Sequence, residues 1–222
     1  PLKALARLLG TIWLLARLAG AALPQHVNAG GPAARPPDRD RERLNWQLPE
    51  RLMDEAGIRP GLTVADVGAG DGYFTFRLAR RVGPAGRVFA TDIDDGALQA
   101  IRDGVKAQGA ENVTVVLGAP DDVRLPEGRI DVALMVNVLH LVKDPAPFLA
   151  SVARSLKTGG TLVVVGWDAD KLAPELHSRG TERERHTLPA YLRTLHGAGF
   201  EVVATKSFLP LQHMLICQPA RQ

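Results

Sequence analysis

Acid is missing from the first 37 residues of this 222-residue chain, which carry Lys3, Arg7, Arg17 and Arg35 but no Asp or Glu. Cysteine is nearly missing too. Cys217 stands alone, which excludes a disulfide framework and a cysteine-rich metal site. No His, Cys and Asp residues recur at metal-ligand spacing, and no internal repeat is visible. The uninterrupted apolar stretches are shorter than the roughly 20 residues a membrane span needs.

The chain is basic overall, at +3 with a sequence pI near 9.3. Uniformly spread, that charge would favour a polyanionic partner. It is not uniformly spread: residues 1–44 hold seven Lys and Arg against three Asp and Glu, while residues 45–222 hold 20 against 21. The body is close to neutral, so a broad nucleic-acid face has no compositional support.

Residues 1–23 (PLKALARLLGTIWLLARLAGAAL) admit several readings. As a signal peptide they offer Lys3 and Arg7 ahead of the apolar run Leu8–Leu18, and a small-residue cleavage site at Ala19-Gly20-Ala21. As a membrane-associated helix they place Lys3, Arg7, Gly10 and Arg17 on one face. An organelle transit peptide and a helix packed on a protein surface are the other two. Each of the first two makes the chain membrane-associated or exported, and cofactor supply favours the cytoplasmic face for the body. Residues 24–43, rich in Pro, Gly, Ala and Arg, read as a flexible linker, and 44–222 as the folded domain.

From residue 44 apolar strands alternate with amphipathic helices. Leu44–Gly57 reads as one helix, with Trp46 and Gln47 near its start. Leu62–Val67, Arg87–Thr91, Val113–Leu117, Ile130–Val136 and Thr161–Val165 read as strands, Lys157–Gly160 being the turn into the last of these. Between them Tyr73–Val82, Asp95–Gln108, Pro147–Leu156 and Leu188–Ala198 read as helices. Phe200–Lys206 and Leu211–Cys217 form a terminal hairpin. The alternation predicts an α/β fold with a parallel sheet and right-handed crossovers.

The chemically informative run is VADVGAGDGYFTFRLA, residues 64–79. Gly68, Gly70 and Gly72 lie between a strand and a helix, where glycine lets a ligand approach the main chain. Tyr73 stands where a dinucleotide fingerprint would have its third glycine. Asp66 and Asp71 flank the glycines and would repel a pyrophosphate. They suit S-adenosylmethionine instead, which carries an ammonium and a sulfonium. Asp92, 24 residues after Gly68, is spaced to accept from both ribose hydroxyls. Each acid alone is equally a helix cap or turn residue; the three in this order around the glycines are more specific.

With VGPAGRVFATDID, LPEGRIDVALMVNVLHLVKDP and FLASVARSLKTGGTLVVV, this run resembles the class I S-adenosylmethionine-dependent methyltransferases. It is most similar to the small enzymes of ubiquinone and menaquinone biosynthesis. The resemblance implies a Rossmann-like, doubly wound seven-stranded sheet, mostly parallel with an antiparallel last strand. It implies that Asp66 and the backbone of Gly68, Ala69, Gly70, Asp71 and Gly72 hold the methionine end. Asp92 then takes the ribose, Ile93 packs on adenine, and Tyr73 and Asn137 border the methionine portion. The acid that such proteins place after strand three is replaced by Ala119, leaving Asp121 or Asp122 for the adenine amino group. His140 is the base candidate for an acceptor that must lose a proton, and equally a helix-start histidine. His177 and His186 lie where such enzymes shape the acceptor site, and Cys217 reads as core. The implied reaction is methyl transfer to a small, apolar acceptor, with no metal and no nucleic acid. A nucleotide-dependent oxidoreductase and a catalytically silent, membrane-tethered binding protein are the competing readings.

Overall fold

The computed structural model describes residues 37–171 and 186–220. Residues 1–23, residues 24–36 of the linker, His177 and the run Glu182–Arg185 lie outside the described residues. The elements are α1 (Pro37–Gln47), α2 (Pro49–Glu55), β1 (Thr63–Val67), α3 (Thr75–Val82), β2 (Arg87–Asp92), α4 (Asp95–Gln108) and β3 (Val113–Leu117). They continue as β4 (Ile130–Val136), a 3₁₀ turn (Leu139–Leu141), α5 (Pro145–Ser155), β5 (Leu156–Trp167), α6 (Leu188–Gly197), β6 (Phe200–Lys206) and β7 (Gln212–Pro219).

The seven strands form one sheet in the order β3-β2-β1-β4-β5-β7-β6. All neighbours are parallel except β7, which runs antiparallel to both β5 and β6. The order reverses between β1 and β4, so the crevice above their carboxyl ends is the place where a doubly wound sheet binds ligands.

Both faces are covered, which is why the central strands read as near-continuous apolar runs. Ala65 and Val67 of β1, Ala133 and Met135 of β4, and Leu162 and Val164 of β5 pack with Phe148 and Leu149 of α5 and Leu195 of α6. The alternate residues Val64, Val132, Leu134, Val163 and Val165 pack with Leu52 of α2 and Leu78 of α3. Asp66 shares the second face with Val64 and is also buried, at 3% exposure.

Three expectations shift. The stretch read as linker ends earlier, because α1 starts at Pro37. The single helix over 44–57 is two, broken at Leu48, which adopts φ 43° ahead of Pro49. A proline disfavours helical backbone in the residue before it, and Leu48 takes the left-handed conformation instead. The turn read at Lys157–Gly160 is absorbed into β5. The register against β4 jumps from Ile130 opposite Leu156 to Val132 opposite Thr161, with Gly159 at φ 78°.

Candidate active site

The loop from β1 to α3 is laced to the ends of β2 and β3. Thr91 offers its carbonyl to Gly68 and Ala69 N–H at 2.8 and 3.0 Å, and Gly118 N–H donates to the Asp92 carbonyl at 2.9 Å. Gly68, Gly70 and Gly72 all have positive φ, at 71°, 54° and 83°. Gly68 is also sterically required. A Cβ there would sit 2.3 Å from a methyl of Val138, in the segment after β4. The loops after β1 and β4 are thus in direct contact.

Beside this loop lies a cavity of about 210 Å³, lined by Arg43, Asp66, Gly68, Ala69, Gly70, Asp71, Tyr73, Phe74 and Val136. The Asp66 carboxylate accepts from the Thr75 hydroxyl at 2.7 Å. Burial raises its pKa to about 6, against the opposing pull of the Thr75 hydrogen bond and the Arg43 charge. Asp92 does not line the cavity wall but shapes it. One carboxylate oxygen accepts from Gly70 N–H at 2.8 Å and the other from Asp94 N–H at 3.0 Å. The cap of α4 is Asp94, which accepts from Gly96 and Ala97 N–H, so Asp92 is released from that duty.

The remaining sequence-derived positions fall around this core. Ile93 follows Asp92 and is 61% exposed, an apolar surface suited to cover a flat base. Ala119 closes a small bridge with Asp122, whose carboxylate accepts from Arg124 N–H at 2.7 Å and faces Arg154 at 3.6 Å. Asp122 is thereby committed to its own turn, and Asp121 is exposed beside it. Gly72 packs on Phe76 and Ile101 and serves the loop's geometry. Asn137 ends β4 with φ 59°, and its side-chain oxygen accepts from Gln212 Nε2 at 2.7 Å.

His140 is not in this cavity. It borders a second one of about 180 Å³ with Leu139, Val142, Lys143, Pro145, Ala190, Tyr191 and Thr194. Its ring lies 4.5 Å from that of His186, whose Nδ1 is 3.5 Å from the Tyr191 hydroxyl. Gly166 makes room for that hydroxyl: a Cβ there would lie 2.1 Å from it. Beyond Tyr191, His213 Nε2 is 3.3 Å from the buried Asp168. Burial lowers the pKa of His213 while Asp168 opposes the change. Among the described residues no group of three or more His, Cys, Asp or Glu is placed to hold a metal ion. No described helix is long and apolar enough to cross a membrane.

Helix α1 is held by a ring stack and by hydrogen bonds. Trp46 stacks on Trp167 with ring centroids 5.1 Å apart. Gln47, fully buried, donates to Gln212 at 3.3 Å, and Arg43 donates to Gln47. Arg43, Gln212, Phe74 and Val136 were missed in the sequence. Arg43 stands in an arginine-rich run that gives no sign which cation turns inward.

A family profile described as a methyltransferase domain matches residues 64–160. Among curated relatives, the ubiquinone/menaquinone biosynthesis C-methyltransferase of Shewanella halifaxensis is 32% identical over 114 residues, 51% of this chain and 45% of that protein. The protein of the same name in Ectopseudomonas mendocina is 36% identical over 114 residues, 51% of this chain and 44% of that one. The chain therefore matches a little under half the length of these relatives. Among solved structures, an S-adenosylmethionine-dependent methyltransferase of Aquifex aeolicus superposes with TM-score 0.72 at 24% identity, covering 84% of this chain and all of that one. The [4+2]-cyclase SpnF superposes with TM-score 0.65 at 17% identity, covering 96% of this chain and 93% of that one. At such identities the likeness establishes the fold, and the cyclase shows that the fold alone does not name the reaction.

Proposed function

We propose that residues 64–160, which match a methyltransferase domain on a sheet of the same fold, form a class I, S-adenosylmethionine-dependent domain, and that the chain transfers a methyl group to a small, apolar acceptor. The observation that carries the proposal is Asp66. This carboxylate is buried at the wall of a 210 Å³ cavity, where it favours a cation that it can pair with. The residues fit the cofactor. Asp66 would accept from its ammonium, the Gly68–Gly72 backbone would hold its methionine end, Asp92 would take the ribose and Ile93 would pack on the base.

When bound, the cofactor supplies a methyl carbon activated by the neighbouring sulfonium. The chain's own contribution is orientation and dryness. Tyr73, Phe74 and Val136, all buried, exclude water from the cavity wall, and much of the rate of a displacement can come from positioning alone. The Gln212–Asn137 pair fixes the chain just after β4. For an acceptor that must lose a proton, His140 on the second cavity is the proton-accepting candidate. A quinone-like ring is the acceptor class suggested by the named relatives, and residues 1–23, read from their sequence as a membrane-associated helix, would bring the chain to an apolar one.

Calorimetry with S-adenosylhomocysteine tests the cofactor. The unaltered chain should bind it, and Asp92→Ala should weaken binding by about 10-fold or more, since hydrogen bonds to a charged group contribute roughly 1.5–3 kcal/mol. No binding by the unaltered chain, or undiminished binding by Asp92→Ala, would sink the proposal.

A further inference from the structure

The second cavity has one histidine in its wall and another packed against the first. His140 comes from the 3₁₀ turn after β4, and His186 stands just before the cap of α6. Their ring centroids lie 4.5 Å apart with the planes tilted by 57°, and both residues are partly buried. His186 is firmly seated. Its carbonyl accepts from Ala169 N–H at 3.0 Å, and its neighbour Thr187 caps α6 by accepting from Ala190 N–H at 3.3 Å. Its Nδ1 is 3.5 Å from the Tyr191 hydroxyl. Burial raises the pKa of that hydroxyl and the charge of Asp168 raises it further, so it keeps its proton. A neutral hydroxyl can donate to a bare Nδ1 or accept from Nδ1–H, and so serves His186 in either state.

Two imidazolium ions this close would repel each other, whereas a single proton can be held by both rings together. Among the described residues, the other charged or titratable groups about the pair are few. Lys143 lines the cavity and Asp144 follows it. Beyond Tyr191 lies Asp168, with Lys171 at 3.2 Å and His213 at 3.3 Å from its carboxylate. Val138, two residues before His140, packs on Gly68 of the cofactor cavity, so one short segment touches the walls of both cavities. Resting on the reading of His140 as the proton acceptor, we propose that His140 and His186 act as one acid–base unit. His140 takes the proton from a ligand in the second cavity, and His186, a positioning residue steadied by Tyr191, holds that proton jointly with it. The ligand's X–H bond breaks and the proton becomes an N–H of the pair. The electron pair stays on X to bond the methyl carbon, whose bond to sulfur breaks with its own pair left on sulfur.

The test is a titration of the imidazole nitrogens by nuclear magnetic resonance, on the full ¹⁵N-labelled chain from pH 5 to 9. The six histidines are assigned by substitution. In the unaltered chain His140 and His186 should each report the same two steps, separated by more than about 1 unit. In His186→Gln, His140 should titrate in a single step below the upper step of the pair. In Tyr191→Phe both steps should remain, with the upper one lower by about 0.5–1 unit, the worth of one hydrogen bond. His196, exposed on α6, should titrate alike in all three and serves as the control for folding. Independent single steps for His140 and His186, with His140 unmoved in His186→Gln, would overturn the proposal. An unmoved upper step in Tyr191→Phe would overturn the part given to Tyr191. The spectra need no cofactor, so their failure is distinct from a failure to bind S-adenosylhomocysteine, which would remove the methyl transfer the pair is proposed to serve.

Discussion

Replacing Asp66 by Asn should make the ligand-free protein more stable and the cavity useless. Asp66 is 3% exposed, and burial moves its pKa from 3.8 to about 6. A shift of about two units corresponds to roughly 3 kcal/mol of differential interaction. The sign follows from proton uptake: the folded chain holds the proton more tightly than the unfolded chain. That contribution to stability is complete below pH 3.8 and is lost as pH rises through about 6. At pH 7.5 the folded protein therefore bears the whole cost of an ionised, buried carboxylate. Asn is neutral and nearly isosteric, and its side-chain oxygen can still accept from the Thr75 hydroxyl. Asp66→Asn should raise stability at pH 7.5 by about 1–3 kcal/mol, or roughly 2–10 °C in Tm for a chain of this size. The advantage should shrink as the buffer is taken to pH 4.5. Urea denaturation of both proteins at the two pH values measures it. Calorimetry supplies the other half: S-adenosylhomocysteine should bind the unaltered chain less tightly as pH falls through about 6, and Asp66→Asn poorly at every pH. A variant no more stable than the parent at pH 7.5, with the difference flat in pH, would refute the reasoning. So would a variant that binds the ligand normally.

Two further predictions follow from packing. Gly68→Ala puts a Cβ 2.3 Å from Val138 at φ 71°, so it should cost about 1–3 kcal/mol in urea denaturation. Gly68→Ala combined with Val138→Ala should recover the steric share and leave the backbone share. Cys217 is buried in β7, and its thiol pKa is pushed up to about 12 by that burial. A thiol reagent at pH 8 should label it only at the rate of unfolding, whereas rapid labelling of the native protein would contradict its position.

The sheet was legible because each strand has a local signature. Ile130–Val136 is nearly all apolar, as a strand covered on both faces must be, and its bounds coincide with β4. The antiparallel place of β7 came from the resemblance, since an antiparallel hairpin does not by itself say which strand joins β5. The acids and glycines of the cavity were legible for a similar reason. Asp66, Gly68, Ala69, Gly70, Asp71 and Tyr73 lie within eight consecutive residues and line one cavity. What the sequence concealed is long-range and polar. The helix α1 reads PDRDRERLNWQ, with only Leu44 and Trp46 as large apolar residues, so periodicity gives it no inward face. It docks through a guanidinium on a ring and an amide on an amide 165 residues away. His140 was legible as a position following β4, but not which cavity it borders: the 3₁₀ turn places it beside α6, on the second cavity.

The stacked pair that seats α1 also has an optical consequence. Trp46 and Trp167 are two of the chain's three tryptophans, and their rings stack 5.1 Å apart. Most of the protein's near-ultraviolet absorption therefore originates at a single contact. Separating the rings would change the emission while the sheet, and with it the far-ultraviolet circular dichroism, stayed intact. The chain thus carries an intrinsic reporter at the junction of α1 with the end of β5, and a ligand titration that disturbs this junction can be followed without attaching a label.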